Sequence, residues 1–394
     1  MLAPVLKQLD IDHEHALQRL KEYLSIPSIS AQAEHAGHIR QAAAWTAAQL
    51  EAAGLKVQIL ETTGGGKSGA EHAAGHGTGH PVVLAHSDPE QVMNPHGKRV
   101  LFYGHYDVQP PEPLQDWITP PFEPTVRDGA IYARGASDDK GQVHGFLEAL
   151  RAWKQTTGKL PGPVTVLIEG EEEIGSVNLP SLLERHKNEL KADIVVVSDT
   201  HMWDKNTPAI TYGLRGLLYY DVQISNASRD VHSGMYGGMF ANPAVVLTRI
   251  LSQLWDEDQR VALPGFYDDV VDPTQEELTM WAELGFDEVR ELAEVGVREP
   301  YGEAGFETLV RNWARPSCDV NGLYGGYGGA GAKTIIPSFA GAKVSFRLAP
   351  KQKAQRVANS FDRWWSSRIY PAVRSNSRTW AGVMVWYCRR IRHG

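Results

Sequence analysis

At 394 residues the chain is long enough for two domains, or for one large domain carrying an insertion. Its hydrophobic content of 42% suits a sizeable core, and its formal net charge of −8 argues against a general nucleic-acid binder. Two cysteines, Cys318 and Cys388, exclude a disulfide framework and point to a reducing compartment. The N-terminus lacks a basic start followed by a long apolar run, and no run elsewhere is long enough to span a bilayer. The expectation is a cytoplasmic protein with no signal peptide and no membrane partner.

In chain order, Ala16, Leu17, Leu20, Tyr23 and Leu24 have helical spacing and predict a helix over 14–25, stopped by Ile26-Pro27. A second helix is predicted over 39–53, with Gly54 as its stop, and a strand over 56–60. Residues 63–80 are rich in glycine and histidine. His72, His76 and His80 are spaced by four, but the intervening glycines oppose a helix, so a surface loop is expected. Short strands are expected at 82–84 and, after the Asp128-Gly129 turn, at 130–133.

The run 100–103 is a buried strand that ends in Gly104-His105-Tyr106-Asp107. Residues i and i+2 of an extended chain face the same side, so His105 and Asp107 address one place at a strand's carboxyl end. A carboxylate that orients a histidine is a common feature of metal sites. A helix carrying Val143, Phe146, Leu147, Leu150 and Trp153 follows Asp138-Asp139, where either aspartate also suits an N-cap. The apolar strand 164–168 leads into Glu169-Gly-Glu-Glu-Glu173. Adjacent carboxylates repel unless solvent or a cation relieves them. The strand 193–197 ends in Ser198-Asp199. Strands separated by helical segments predict a largely parallel sheet with His105, Asp107, Glu172, Glu173 and Asp199 along one edge.

From about Thr211 the pattern changes to a half-exposed strand at 217–224 and strands at 317–323 and 343–348, with a helix over 244–254 and acidic, mostly helical chain over 256–300. This reads as a separate α+β layer. Gly328-Gly-Ala-Gly331-Ala332-Lys333-Thr334 approaches the phosphate-loop pattern, but Ala332 stands where glycine is required. The last 31 residues, from Trp364, hold four tryptophans and six arginines but no Asp, Glu or Lys, and show no amphipathic period. They are expected to be an atypical basic tail, with a frameshift near Trp364 as the sharper alternative.

The donor set His105, Asp138, Glu173 and Asp199 suits zinc, manganese or cobalt, with Glu172 as a general base. No G-x-S-x-G elbow is present, and neither cysteine lies in a candidate cluster. The motifs Gly104-His-Tyr-Asp107-Val, Gly135-Ala-Ser-Asp138-Asp-Lys-Gly141, Glu169-Gly-Glu-Glu-Glu173-Ile-Gly-Ser, Ser198-Asp199 and Asp230-Val-His232-Ser-Gly resemble the dinuclear-zinc metallopeptidase family. That family includes aminoacylases, carnosine-type dipeptidases, succinyl-diaminopimelate desuccinylase and glutamate carboxypeptidase. Trp117, Pro121-Phe122 and Gly331-Ala-Lys-Thr334-Ile-Ile-Pro337 are most similar to the dipeptidase branch.

The resemblance implies an α/β, zinc-exopeptidase-like catalytic domain over 1–210 and an inserted α+β lid and dimerisation domain over 211–363. It implies two zinc ions per subunit and hydrolysis of a dipeptide or N-acyl amino acid by a water bridging them. His105, Asp138, Glu173 and Asp199 would be ligands, with Asp138 bridging and the Asp138–Asp139 peptide cis. Asp107 would orient His105, and Glu172 would act as base. In a homodimer formed through the lid, His232 would stabilise the oxyanion, while Thr334 and Arg347 would contact substrate. One departure is expected to matter. The family takes its last metal-ligating histidine from a C-terminal return segment, and after His232 this sequence has His393 alone, outside any matching motif. The rival expectation is a catalytically impaired homologue that keeps dimerisation or binding.

Overall fold

The computed structural model describes residues 2–62 and 79–383. The chain divides into two compact units, Met1–Ala209 and Ile210–Gly394. Among the described residues no helix is long and apolar enough to cross a membrane.

The first unit holds a five-stranded sheet built from β1 (Leu55–Leu60), β2 (Val82–Ser87), β3 (Val100–His105), β6 (Val164–Glu169) and β7 (Ile194–Val197). A separate hairpin pairs β4 (Thr125–Arg127) with β5 (Ala130–Tyr132). The sheet order is β1-β2-β6-β3-β7. The three strands expected to carry site residues, β6, β3 and β7, are mutually parallel, so their carboxyl ends share an edge. The sheet as a whole is mixed, because β1 and β2 add to it antiparallel. Every residue of β6 is buried, as its unbroken apolar run requires of a central strand.

The helix Lys140–Thr157 packs against this sheet through Val143, Leu147 and Leu150, and its Phe146 stacks on Phe102 of β3 at 3.9 Å. Gly104 allows that close approach. A Cβ there would lie 2.6 Å from both Asp139 Oδ2 and Val143 Cγ2, nearer than real side chains come. The helix Leu2–Ile11 lies ahead of the first helix expected from the sequence.

The second unit has a four-stranded antiparallel sheet in the order β10-β12-β8-β13. These are β8 (Gly216–Ser225), β10 (Ser317–Tyr324), β12 (Phe339–Leu348) and β13 (Arg374–Val383). A small two-stranded sheet joins β9 (Val231–His232) to β11 (Ile335–Ile336). One face of the large sheet buries Leu218, Tyr220, Val222, Ile224, Val344 and Phe346 against two helices, Pro243–Leu251 and Ala354–Ser366. The stretch 256–300 is less helical than expected, with short helices at Gln275–Ala282 and Glu288–Glu294 only.

The boundary expected at Trp364 falls within a helix. The helix Ala354–Ser366 runs through it, and Val357, Phe361, Trp364 and Trp365 line its buried stripe. These positions recur at i, i+4, i+7 and i+8, the period of a core-facing helix. β13 then continues the sheet by pairing with β8. A basic composition therefore does not mark the end of the packed core.

Candidate metal centre

His105 is fully buried at the end of β3, in register with Glu169 of the parallel neighbour β6. Its Nδ1 lies 3.0 Å from the Asp107 carbonyl oxygen and 3.3 Å from Asp107 Oδ1. That fixes the ring and turns Nε2 outward, 3.1 Å from Asp138 Oδ1 and 3.9 Å from Asp199 Oδ2. Asp107 is equally buried, and its carboxylate has further partners: Oδ1 accepts the Glu172 N–H at 3.2 Å, and Oδ2 the Glu173 N–H at 3.0 Å. One carboxylate thus sets both the histidine ring and the backbone that presents the two glutamates.

The peptide between Asp138 and Asp139 is cis. Asp139 turns inward, where its Oδ2 accepts the His105 N–H at 3.1 Å. His105, Glu172 and Asp199 each place one ligand atom within 4.8 Å of the others. Glu173 faces a different partner, since its Oε2 accepts from Gln109 Nε2 at 2.7 Å.

The charges follow from this crowding. Burial alone would lower the His105 imidazole, but its hydrogen bonds with Asp107 and Asp138 outweigh that and raise it to about 12. The hydrogen bond to His105 holds Asp138 below the usual carboxylate range. Burial pushes Glu172 and Asp139 up to about 7, and it raises Glu173 and Asp199 as well. One imidazole among several mutually repelling carboxylates is a donor set that suits a divalent cation. Asp139 Oδ1, buried without a hydrogen-bond partner, adds to the uncompensated negative character.

Several supporting residues escaped the sequence reading. Glu171 is buried and accepts from the N–H of His80 at 2.8 Å, the N–H of Asn178 at 3.1 Å and Asn178 Nδ2 at 2.9 Å. It ties down the loop that carries Glu172 and Glu173. His80 is correspondingly buried rather than part of a surface loop, while His72 and His76 lie outside the described residues. Lys140 is fully buried and donates to the carbonyls of Tyr23 at 3.1 Å and Ile26 at 2.7 Å, anchoring the start of its helix. Glu171 and Lys140 lie inside the motifs quoted for the resemblance, but nothing in their local sequence gave them a role of their own.

The remaining expected site residues lie in the second unit. His232 Nε2 is 3.2 Å from Thr334 Oγ1, and His232 Nδ1 accepts the Gly234 N–H at 3.0 Å. Arg347 is exposed on β12, opposite Leu217 of β8 and Ser317 of β10. The His232/Thr334 pair is not beside Arg347. Asp230 accepts from Ser338 at 2.9 Å, which holds β9 near the Phe339 end of β12, whereas Arg347 is near the other end. At about 3.4 Å per residue, the two positions are roughly 20–30 Å apart. The glycine-rich stretch 328–334 leads into the strand β11 and not into a helix, so it lacks the architecture of a phosphate loop.

Residues 101–384 match the peptidase family M20/M25/M40. The chain belongs to this family. It is 35% identical to the human Beta-Ala-His dipeptidase over 285 residues, covering 72% of the chain and 55% of that protein. It is 31% identical over 354 residues to the Cys-Gly metallodipeptidase dug1 of Schizosaccharomyces pombe, covering 89% of the chain and 72% of the relative. In three dimensions it resembles human carnosine dipeptidase 1, with a TM-score of 0.80 at 30% identity over 98% of the chain and 81% of that structure. This M20 chain spans about half the length of the mammalian Beta-Ala-His dipeptidases it matches. The α/β architecture expected from the sequence is the one its structural relatives share.

Proposed function

We propose that this M20 chain is a metal-dependent hydrolase of dipeptides or of closely related amides such as N-acyl amino acids. The observation that carries the reading is the convergence of His105, Asp138, Glu172 and Asp199 on one strand edge, with Asp107 fixing both the imidazole and the glutamate backbone. The dipeptidase names of its relatives support the substrate class.

His105, Asp138, Glu173 and Asp199 would hold divalent ions, zinc in the first instance and manganese or cobalt as alternatives. Such ions, when bound, make a water molecule acidic and polarise the scissile carbonyl. Glu172 takes the proton of the attacking water on its carboxylate and passes it to the leaving amine nitrogen. Its carboxyl, raised by burial to about 7, is matched to both transfers near neutral pH. His232 and Thr334 offer polar groups to the developing oxyanion, and Arg347 pairs with the substrate carboxylate. An extended dipeptide is about 7 Å long, far short of the separation between the His232/Thr334 pair and Arg347 in one chain. A substrate that meets all three draws them from two chains, which supports a homodimer formed through the second unit.

The test is turnover of β-alanyl-histidine and cysteinylglycine by the zinc- or manganese-loaded chain, with its metal content measured in parallel. Glu172→Gln is expected to lower kcat by about 10²–10⁴-fold while metal stays bound. His105→Ala is expected to lose the metal itself. A metal-loaded wild-type chain that turns over neither peptide would overturn the hydrolase reading in favour of a binding homologue.

A further inference from the structure

Glu169 is a buried carboxylate to which the chemistry proposed above gives no part. It closes β6 and is 1% exposed. Its Oε1 accepts two hydrogen bonds, from the Tyr103 hydroxyl of β3 at 2.5 Å and from the Ser176 hydroxyl at 2.9 Å. Burial pushes the carboxyl up to about 7, and the two hydroxyls pull against that push. Tyr103 precedes His105 by two positions, so the face of β3 that carries the imidazole carries this phenol as well.

Ser176 stands at the far end of the segment that begins at Glu169. Between them lie Glu171 and the single turn Glu172–Ile174. The Ser176 N–H donates to the Glu171 carbonyl at 2.8 Å, and the Gly175 N–H to the Glu172 carbonyl at 2.9 Å. Gly175, with φ +90°, and Ser176, with φ +51°, both take the left-handed region, which turns the chain back on itself. Glycine suits such a position, whereas a residue with a Cβ is uncommon there. Serine at 176 gives up that backbone ease and gains a side-chain bond to Glu169. The two ends of the acidic loop therefore meet at one carboxylate oxygen, while Asp107 holds its middle by the N–H groups of Glu172 and Glu173.

We propose that Glu169 is a positioning residue for Glu172, acting through Ser176: the chain Tyr103–Glu169–Ser176 closes the acidic loop and fixes where that loop presents the base. Hydroxyl donors to a carboxylate make short, strong hydrogen bonds, which gives the closure its rigidity. The role of Glu172 as base rests on the hydrolase reading above. The closure itself is made of protein groups alone and holds in the metal-free chain.

The experiment sets Ser176→Gly against the wild type in two measurements. Hydrogen exchange of the metal-free full chain, read by NMR, is expected to run about tenfold faster at the amides of Glu172 and Glu173, with the amides of β6 unchanged. In the zinc- or manganese-loaded chain, kcat for β-alanyl-histidine or cysteinylglycine is expected to fall about tenfold, with KM and metal content unchanged. Glycine relieves the backbone at 176, so a serine that served only the turn would leave both readings at their wild-type values, and that result overturns the proposal. Faster exchange with kcat unchanged overturns it too, as does a lower kcat with exchange unchanged. Tyr103→Phe keeps the ring and removes the other donor to Glu169, so it should move both readings in the same direction, and it decides the matter if Ser176→Gly does not fold. Glu169→Gln, whose amide oxygen still accepts from both hydroxyls, should fall between Ser176→Gly and the wild type. Faster exchange in variants of a chain that hydrolyses neither peptide defeats the hydrolase reading and leaves the loop closure standing. Turnover by a wild type that Ser176→Gly and Tyr103→Phe both match defeats the positioning role alone.

Discussion

Asp107→Asn separates a site held together by its own hydrogen bonds from one assembled by the cation. Asp107 is fully buried and accepts the backbone N–H groups of Glu172 at 3.2 Å and Glu173 at 3.0 Å, while its Oδ1 lies 3.3 Å from His105 Nδ1. Asparagine keeps the shape but replaces one acceptor with an NH2 donor. One backbone N–H then faces another donor in a dry environment, and the remaining bond loses its charge assistance. A lost charged hydrogen bond costs about 1.5–3 kcal/mol, and an orphaned buried donor a further 1–3 kcal/mol. Partial relaxation of the 172–173 backbone makes about 3 kcal/mol the expected loss in the metal-free protein. Because the imidazole keeps the carbonyl of residue 107 but loses the carboxylate charge beside it, zinc affinity should also drop, by about 10-fold or more. Urea unfolding of the metal-free chain, followed by tryptophan fluorescence, reads the first effect, and competition with a chelator of known affinity reads the second. Stability within 0.5 kcal/mol of wild type together with zinc affinity within about twofold would refute the scaffold argument.

Three further outcomes follow from the same structure. A bound metal needs the neutral imidazole, yet without metal His105 is raised from its ordinary 6.5 to about 12 and holds a proton at neutral pH. Metal uptake must therefore release that proton, and apparent zinc affinity should rise about tenfold per pH unit between pH 6 and 8, measured with pH-calibrated chelators; a flat profile would exclude the protonated histidine. The sign for stability is opposite: the contribution of protonated His105 to the metal-free fold is complete below about pH 6.5 and is lost as pH climbs towards 12. In the second unit, Trp365 is 2% exposed and its ring stacks on Phe361. Trp365→Ala should cost about 3–5 kcal/mol in chemical unfolding, whereas a residue beyond the packed core would cost less than 0.5 kcal/mol.

The parts of the site that were legible in the sequence are those with short-range signatures. β3 announces itself by an apolar run closed by Gly104, and His105 and Asp107 follow at the spacing that puts them on one side. β6 and β7 end in the same way, so a shared acidic edge could be read before any pairing was known. The supporting residues were hidden because their partners are remote. Glu171 differs from Glu172 and Glu173 only in meeting His80 and Asn178, and Lys140 is held by carbonyls more than a hundred positions earlier. The helix across Trp364 was hidden for another reason. Composition was weighed over 31 residues, while the decisive signal was the four-residue stripe from Val357 to Trp365 crossing the supposed boundary.

What makes the candidate centre a site rather than a cap and a strand end is that its parts are stabilised separately. Asp107, Glu171 and Lys140 each end in buried hydrogen bonds that need no cation, and together they fix the ring of His105, the loop of the two glutamates and the start of the helix after Asp139. Glu172, Glu173 and Asp199 are then held away from water at an energetic cost, visible in the upward push that burial gives all three carboxyls. A fold that spends hydrogen bonds to hold repelling groups in place favours whatever neutralises them. The protonated His105 meets part of that demand through Asp138, but a divalent ion that replaces its proton brings one more unit of positive charge to the same position. On the proposed reading the arrangement is preorganised for a cation, and the loss of any one of the three supports should weaken metal binding without removing a ligand.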